Sequence, residues 1–224
     1  MLVKIGMKER QQPFHEAHSL CRTLLAEIPQ ESNRRHIIAL AGMPGSGKST
    51  VSNLLVETIL NERPGLNPVV VPMDGFHLDN FVLDQRGLRD RKGSPQTFDA
   101  FGYVHALNRI REDRELVWVP LFDRKMDLSR ASCVEVSRDN RLVITEGNYL
   151  LLAEDPWQKI KGLVNITVLI DVGLATIKNR LIQRWLDLGY TSQQARIKVV
   201  ENDLENAHYI QENSLSPDYR LVNE

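Results

Sequence analysis

Residues Gly42-Met43-Pro44-Gly45-Ser46-Gly47-Lys48-Ser49 fill the eight-residue pattern Gly-x-x-x-x-Gly-Lys-Ser without a mismatch. The pattern constrains the fold because it works only between a strand and a helix. Glycines let successive backbone N–H groups turn inward around phosphate oxygens, and the helix N-terminus adds positive potential. Both flanks are present. His36-Ile37-Ile38-Ala39-Leu40-Ala41 is a short apolar run that reads as a buried strand, and helical spacing runs from Lys48 to about Leu60. Lys48 can reach the β and γ phosphates of a nucleoside triphosphate, and the Ser49 hydroxyl can ligate Mg²⁺. Gly42, Met43, Pro44, Gly45, Ser46, Gly47, Lys48, Ser49 and Thr50 are therefore the candidate nucleotide contacts. The bland alternative is a glycine-rich turn that binds nothing.

The rest of the chain alternates. Val69-Val70-Val71 is continuous and β-branched, as in a strand covered on both faces. Leu116 to Val119, Leu142 to Thr145 and Ile166 to Ile170 are further strand candidates, with Tyr219 to Val222 as a last edge strand. Helical patterns cover Phe101 to Ile110, Val172 to Leu188 and Gln193 to His208, and an amphipathic helix at about 14–30 precedes the first strand. Alternating strands and helices imply a three-layer α/β fold with a mostly parallel sheet. At 224 residues the chain is read as one domain, 1–224.

Composition narrows the partners. A formal net charge of −1 gives no bulk attraction to nucleic acid or to an anionic membrane. No apolar run reaches membrane-spanning length, and Met1 to Gln12 lacks the basic-then-apolar order of a signal peptide. Cys21 and Cys133 match no metal-ligand spacing and read as two reduced thiols. A cytoplasmic location is expected by elimination, and a homodimer stays open.

Two acids end apolar strands. Asp74 follows Val69 to Met73 and would lie beside the phosphate loop, where its carboxylate could take the proton of an acceptor hydroxyl. Asp74-Gly75 is equally a common turn dipeptide. Glu146 ends Leu142 to Thr145, where a carboxylate can hold Mg²⁺ directly or through water, or simply stand in solvent. An Asp at that strand end and the Asn-Lys-x-Asp guanine-reading motif are both missing, which weakens a GTPase reading. Arg180 and Arg184 stand four residues apart on one helix face.

Asp74-Gly75-Phe76, Arg86-Gly87-Leu88, Arg91-Lys92-Gly93-Ser94-Pro95, Phe98-Asp99, Pro120-Leu121-Phe122-Asp123-Arg124-Lys125 and Glu146-Gly147-Asn148 occur in this order. In that order they resemble the phosphoribulokinase, uridine kinase and bacterial pantothenate kinase group of P-loop kinases, over about Ile37 to Leu188. The resemblance implies ATP and Mg²⁺ as cofactors and a small-molecule hydroxyl acceptor. It implies that Asp74 is the catalytic base, that Glu146 assists the metal, and that His77, Asp123 and Arg124 approach the acceptor. It also implies a small helical lid, about 184–196. Arg184, counted from the strand-end Asp171, matches the lid arginine that closes on the transferring phosphates, and Arg180 joins the nucleotide contacts. Past the lid, Asn202, Asp203 and Asn206 resemble a kinase-like branch associated with sugar transport, which names no acceptor. A P-loop ATPase and a nucleotide-sensing module without an acceptor are the rival readings.

Overall fold

The computed structural model describes residues 15–29 and 34–223. Met1 to Gln12, and residues 14 and 30 at the ends of the expected first helix, lie outside the described residues. In chain order the elements begin with α1 (Ala17–Glu27), β1 (His36–Ala41), α2 (Lys48–Glu62), β2 (Val69–Pro72) and α3 (Asn80–Gln85). They continue with α4 (Ala100–Glu112), β3 (Val117–Asp123), β4 (Leu128–Val136), β5 (Leu142–Gly147), α5 (Ile160–Leu163) and β6 (Ile166–Asp171). The last are α6 (Leu174–Asp187), α7 (Ser192–Lys198), a π turn over Val199–Asp203, α8 (Leu204–Asn213) and β7 (Tyr219–Val222). No helix among the described residues is long and apolar enough to cross a membrane.

Five strands form one parallel sheet in the order β2-β5-β1-β6-β7. The apolar runs dictate this. A strand flanked by partners and covered on both faces must be hydrophobic throughout. Accordingly Ile37, Ala39 and Ala41 of β1 face one core, and Ile38 and Leu40 face the other. The second core is closed by α1 and α2 through Leu20, Leu24, Leu55 and Ile59, all fully buried. The first is closed by α4, α6 and α8 through Tyr103, Leu107, Ile177 and Ile210. Burying each such aliphatic side chain contributes about 1.5–3 kcal/mol. Arg35, just before β1, is the buried exception. It pairs with Asp113 at 2.6 Å and donates to the carbonyls of Ile110, Ser137 and Asn140, so its charge is compensated.

The stretch from Leu116 to Val119, expected as one of the alternating strands, stands outside the parallel sheet. Val117 and Val119 are buried while Trp118 is half exposed, the period of a strand wet on one side. It belongs to β3, which pairs antiparallel with β4. The ladder slips at Pro120, which has no N–H to give. Val119 faces Val134 and Leu121 faces Arg130, with Ser132 at φ 55° in the bulge between.

That bulge seats the hairpin on the turn after β2. A Cβ on Gly75 would lie 2.2 Å from the Pro120 carbonyl oxygen, so only glycine permits the approach. Ser129 Oγ adds a bond to the His77 carbonyl at 3.1 Å. Gly75→Ala is expected to lower stability by about 1–3 kcal/mol through overpacking, read as a shifted denaturant midpoint. An unchanged midpoint would show that the hairpin is not held there.

Candidate active site

The loop between β1 and α2 turns through Gly47, whose φ of 91° is left-handed and glycine-favouring. Asn223, just past β7, braces this turn by donating to the Ser46 carbonyl at 2.8 Å. Lys48 Nζ folds back over the loop. It donates to the carbonyls of Gly42 and Met43 at 3.0 Å each and to Asn148 Oδ1 at 2.7 Å. Burial pushes its ammonium down to about 8, against the pull of Glu146 and Asp74. Ser49 Oγ donates to Glu146 at 2.9 Å. Burial raises the Glu146 carboxyl above its usual range, with Lys48 and Ser49 opposing. Parallel pairing makes this meeting inevitable, because Leu40 lies beside Glu146 and Ala41 beside Gly147 across β1 and β5.

Asp74 sits on a single 3₁₀ turn, Met73–Phe76, at the end of β2. The register sets Pro72 beside Glu146, which brings the two acids to one crevice. Arg124, at the hairpin tip, reaches across and donates from Nη2 to Asp74 Oδ2 at 2.9 Å. His77 Nδ1 donates to the Asp74 carbonyl at 2.8 Å. Its ring packs between Phe98 and Phe122, with centroids 4.0 and 4.6 Å away. Burial lowers the His77 pKa, with Asp74 opposing, which favours the neutral ring. Asp123 turns the other way. Its Oδ1 accepts the N–H groups of Lys125 and Met126 at 3.1 Å each, and Oδ2 lies 3.7 Å from Arg130. It shapes the tip that carries Arg124.

Helix α6 brings Arg180 and Arg184 over the loop, and Arg180 Nη1 donates to the Gly45 carbonyl at 3.4 Å. Burial, then repulsion by Arg124, lowers the Arg184 pKa, while Asp74, Asp203 and Glu146 favour its charge. The region expected as a lid at about 184–196 is the end of α6, a turn at Leu188-Gly189, and most of α7. A capping box of Thr191 and Gln194 starts α7. The helix expected from Gln193 to His208 runs continuously as α7, the π turn and α8, with right-handed helical backbone at both junctions. Asp203 in that turn accepts from Trp185 Nε1 at 2.7 Å, and Lys198 stacks over the Trp185 ring at 4.9 Å. Asn202 donates to the Lys92 carbonyl at 2.9 Å, and Asn206 is buried.

These elements enclose a cavity of about 300 Å³ at the carboxyl ends of β1, β2 and β5. Its walls include Pro44, Gly45, Gly47, Lys48, Ser49, Thr50, Asp74, Arg124, Glu146, Arg180 and Arg184. Of the residues expected at the site, Gly42, Met43, Ser46, His77 and Asp123 do not line it, although the carbonyls of Gly42 and Met43 accept from Lys48. Sequence reasoning missed Pro72, Gly147 and Asn148 in the lining. Asn148 carried a weak signal, two residues beyond a strand-end acid. Four cations face two carboxylates, a surplus suited to an anion. Among the described residues no group of three His, Cys, Asp or Glu could hold a metal unaided. A serine hydroxyl and one carboxylate are the hard oxygen donors that Mg²⁺ takes when substrate phosphates and water complete its shell.

A parallel sheet in this order, with a glycine-rich loop, a half-buried lysine and arginines on a covering helix, defines a P-loop protein of the kinase type. The comparisons agree. A protein of Schizosaccharomyces pombe, C227.14, provisionally named a uridine kinase, is 36% identical over 84% of this chain and 83% of its own length. A solved structure from Silicibacter sp. TM1040, provisionally named a fructose transport system kinase, is 40% identical. It superposes with a TM-score of 0.85 over 92% of this chain and 98% of that one. Pantothenate kinase of Corynebacterium diphtheriae is 30% identical over 68% of this chain, but this chain covers only 49% of it. A family model described as the methylmalonyl-CoA mutase-associated GTPase MeaB matches residues 3–75, the part holding β1, the phosphate loop and β2. The chain belongs to the P-loop kinase superfamily that includes uridine, pantothenate and sugar-transport-associated kinases.

Proposed function

We propose that the protein transfers the γ-phosphoryl group of ATP to a hydroxyl of a small metabolite, with a pantothenate-, nucleoside- or sugar-like acceptor. The observation that carries this reading is Asp74, a carboxylate set in the wall of a cavity that the phosphate loop, the arginines and Glu146 also line. A nucleotide sensor that does not turn over has no need of a base on that side, and the acceptor panel below separates transfer from plain hydrolysis.

Lys48 exchanges its loop carbonyls for the β and γ phosphates, a change favoured by the partial desolvation of its ammonium. Ser49 and Glu146 would hold Mg²⁺, which would neutralise phosphate charge when bound. Asp74 accepts the acceptor's hydroxyl proton as that oxygen bonds to γ-phosphorus and the bond to the β–γ bridging oxygen breaks. ADP and a phosphate monoester leave. Arg180 and Arg184 meet the charge spread over the transferring group, and α6 with α7 shields it from water.

The test is phosphate transfer from MgATP across a panel of sugars, nucleosides and vitamins. Failure of every acceptor to stimulate ADP formation above the acceptor-free rate would defeat the reading. Arg184→Ala is expected to lower turnover about a hundredfold with a smaller change in ATP affinity, because its contact strengthens in the transition state. Steady-state kinetics set beside equilibrium nucleotide binding checks this. A defect confined to affinity would make Arg184 a ground-state contact.

A further inference from the structure

Asp74 is already occupied in the acceptor-free protein. Arg124 Nη2 lies 2.9 Å from Oδ2, one of the oxygens that would take the proton. The hairpin holds the guanidinium there through several independent fittings. The Pro120 carbonyl packs on the Cα of Gly75, Ser129 ties to the His77 carbonyl, and Phe122 stacks on His77. Asp123 folds the tip so that the next residue points at the crevice. Charge matching separates Arg124 from the nucleotide machinery. Lys48, Arg180 and Arg184 suffice to balance Glu146 and a metal-bound triphosphate, which leaves Asp74 and Arg124 to neutralise each other.

We infer that Arg124 is a specificity-determining residue that masks Asp74 from water and yields it only to an acceptor. This rests on the kinase reading above. Water that reached the γ-phosphorus with Asp74 free would form the new P–O bond and give its proton to the carboxylate. The bridging bond would break, releasing ADP and inorganic phosphate. With Arg124 on Oδ2 that proton has a poorer place to go. A water molecule brings no other contacts with which to displace the guanidinium. An acceptor does, since binding energy from its non-reacting part can be spent on opening the ion pair. The freed guanidinium then stays in the cavity wall with the acceptor and the transferring group.

The experiment needs only MgATP. Arg124→Gln removes a half-exposed side chain, and the hairpin's docking contacts do not depend on it. Acceptor-free release of ADP and phosphate is expected to rise at least about tenfold, a part of the 10²–10⁴ that a positioned base contributes. Arg124→Lys keeps a cation beside Asp74 and should show a smaller rise than Arg124→Gln, and an equal or larger rise would overturn the masking role. The double variant Asp74→Asn with Arg124→Gln should lose the gain, because the water would no longer have a base. Hydrolysis by Arg124→Gln at or below the wild-type rate overturns the inference, and so does a gain that survives in the double variant. Absence of MgATP binding to the wild type would instead bring down the kinase reading, and this inference with it.

Discussion

Replacing Asp74 by asparagine is expected to cut phosphoryl transfer by about a hundred- to ten-thousand-fold, the usual worth of a positioned general base. The amide keeps the shape of the carboxylate and the seat on the turn after β2. It loses the capacity to take a proton. Nucleotide affinity should barely change, because Lys48, Ser49, Arg180 and Arg184, which line the same cavity, are left in place. Radiolabelled transfer to the acceptor found in the panel, set beside equilibrium ATP binding, separates the two quantities. The rival readings diverge here. A plain ATPase would lose basal hydrolysis and gain nothing from any acceptor in either form. A sensor would turn over in neither form and bind equally in both. Transfer at the wild-type rate by Asp74→Asn would defeat the mechanism.

Lys48→Ala should be at least as damaging, lowering kcat/KM about a thousandfold or more, since the β and γ phosphates lose their half-buried cation during bond breaking. Here affinity and turnover should fall together, which distinguishes it from the Asp74 variant. The unliganded protein should tolerate the change well. The lysine ammonium is partly desolvated, and its loss leaves two carbonyls and the Asn148 amide oxygen without a shared donor while Ser49 still donates to Glu146. A melt within a few degrees of wild type, together with lost turnover, is the expected pair of results. Near-normal turnover would remove the phosphate loop from the mechanism.

Much of this architecture was legible in the chain because buried parallel strands announce themselves. His36–Ala41 and Tyr219–Val222 have the bounds that their apolar runs suggest, and Leu142 and Ile166 begin their strands as read. The hairpin was harder. The nine residues of β4, Leu-Ser-Arg-Ala-Ser-Cys-Val-Glu-Val, are mostly solvent-facing and interrupted by the bulge at Ser132, so neither period survives. Helix α3 is six residues long, too short for a periodic signal. Within the cavity, strand-end acids and the phosphate loop could be placed from spacing alone. The Asp74–Arg124 pair could not, because it depends on how a hairpin outside the main sheet is seated. The clasp of Asn148 on Lys48 likewise joins a side chain beyond β5 to the start of α2, a contact that only the parallel register creates.

The strand order also shapes how the molecule is made. The central strand β1 is synthesised first, yet its neighbours are β5 and β6, so His36 waits for Leu142 and Ile38 for Ile166. Until those segments leave the ribosome, an apolar ribbon stands with both edges open and its glycine loop unsupported. Such distant pairing folds slowly and is exposed to aggregation while incomplete. The phosphate loop also needs the arginines of α6 above it and Asn223 beneath it, and Asn223 follows the last strand. The capacity to hold nucleotide is thus acquired only after β7 and Asn223 have emerged, and a chain truncated before β7 should be inert toward ATP.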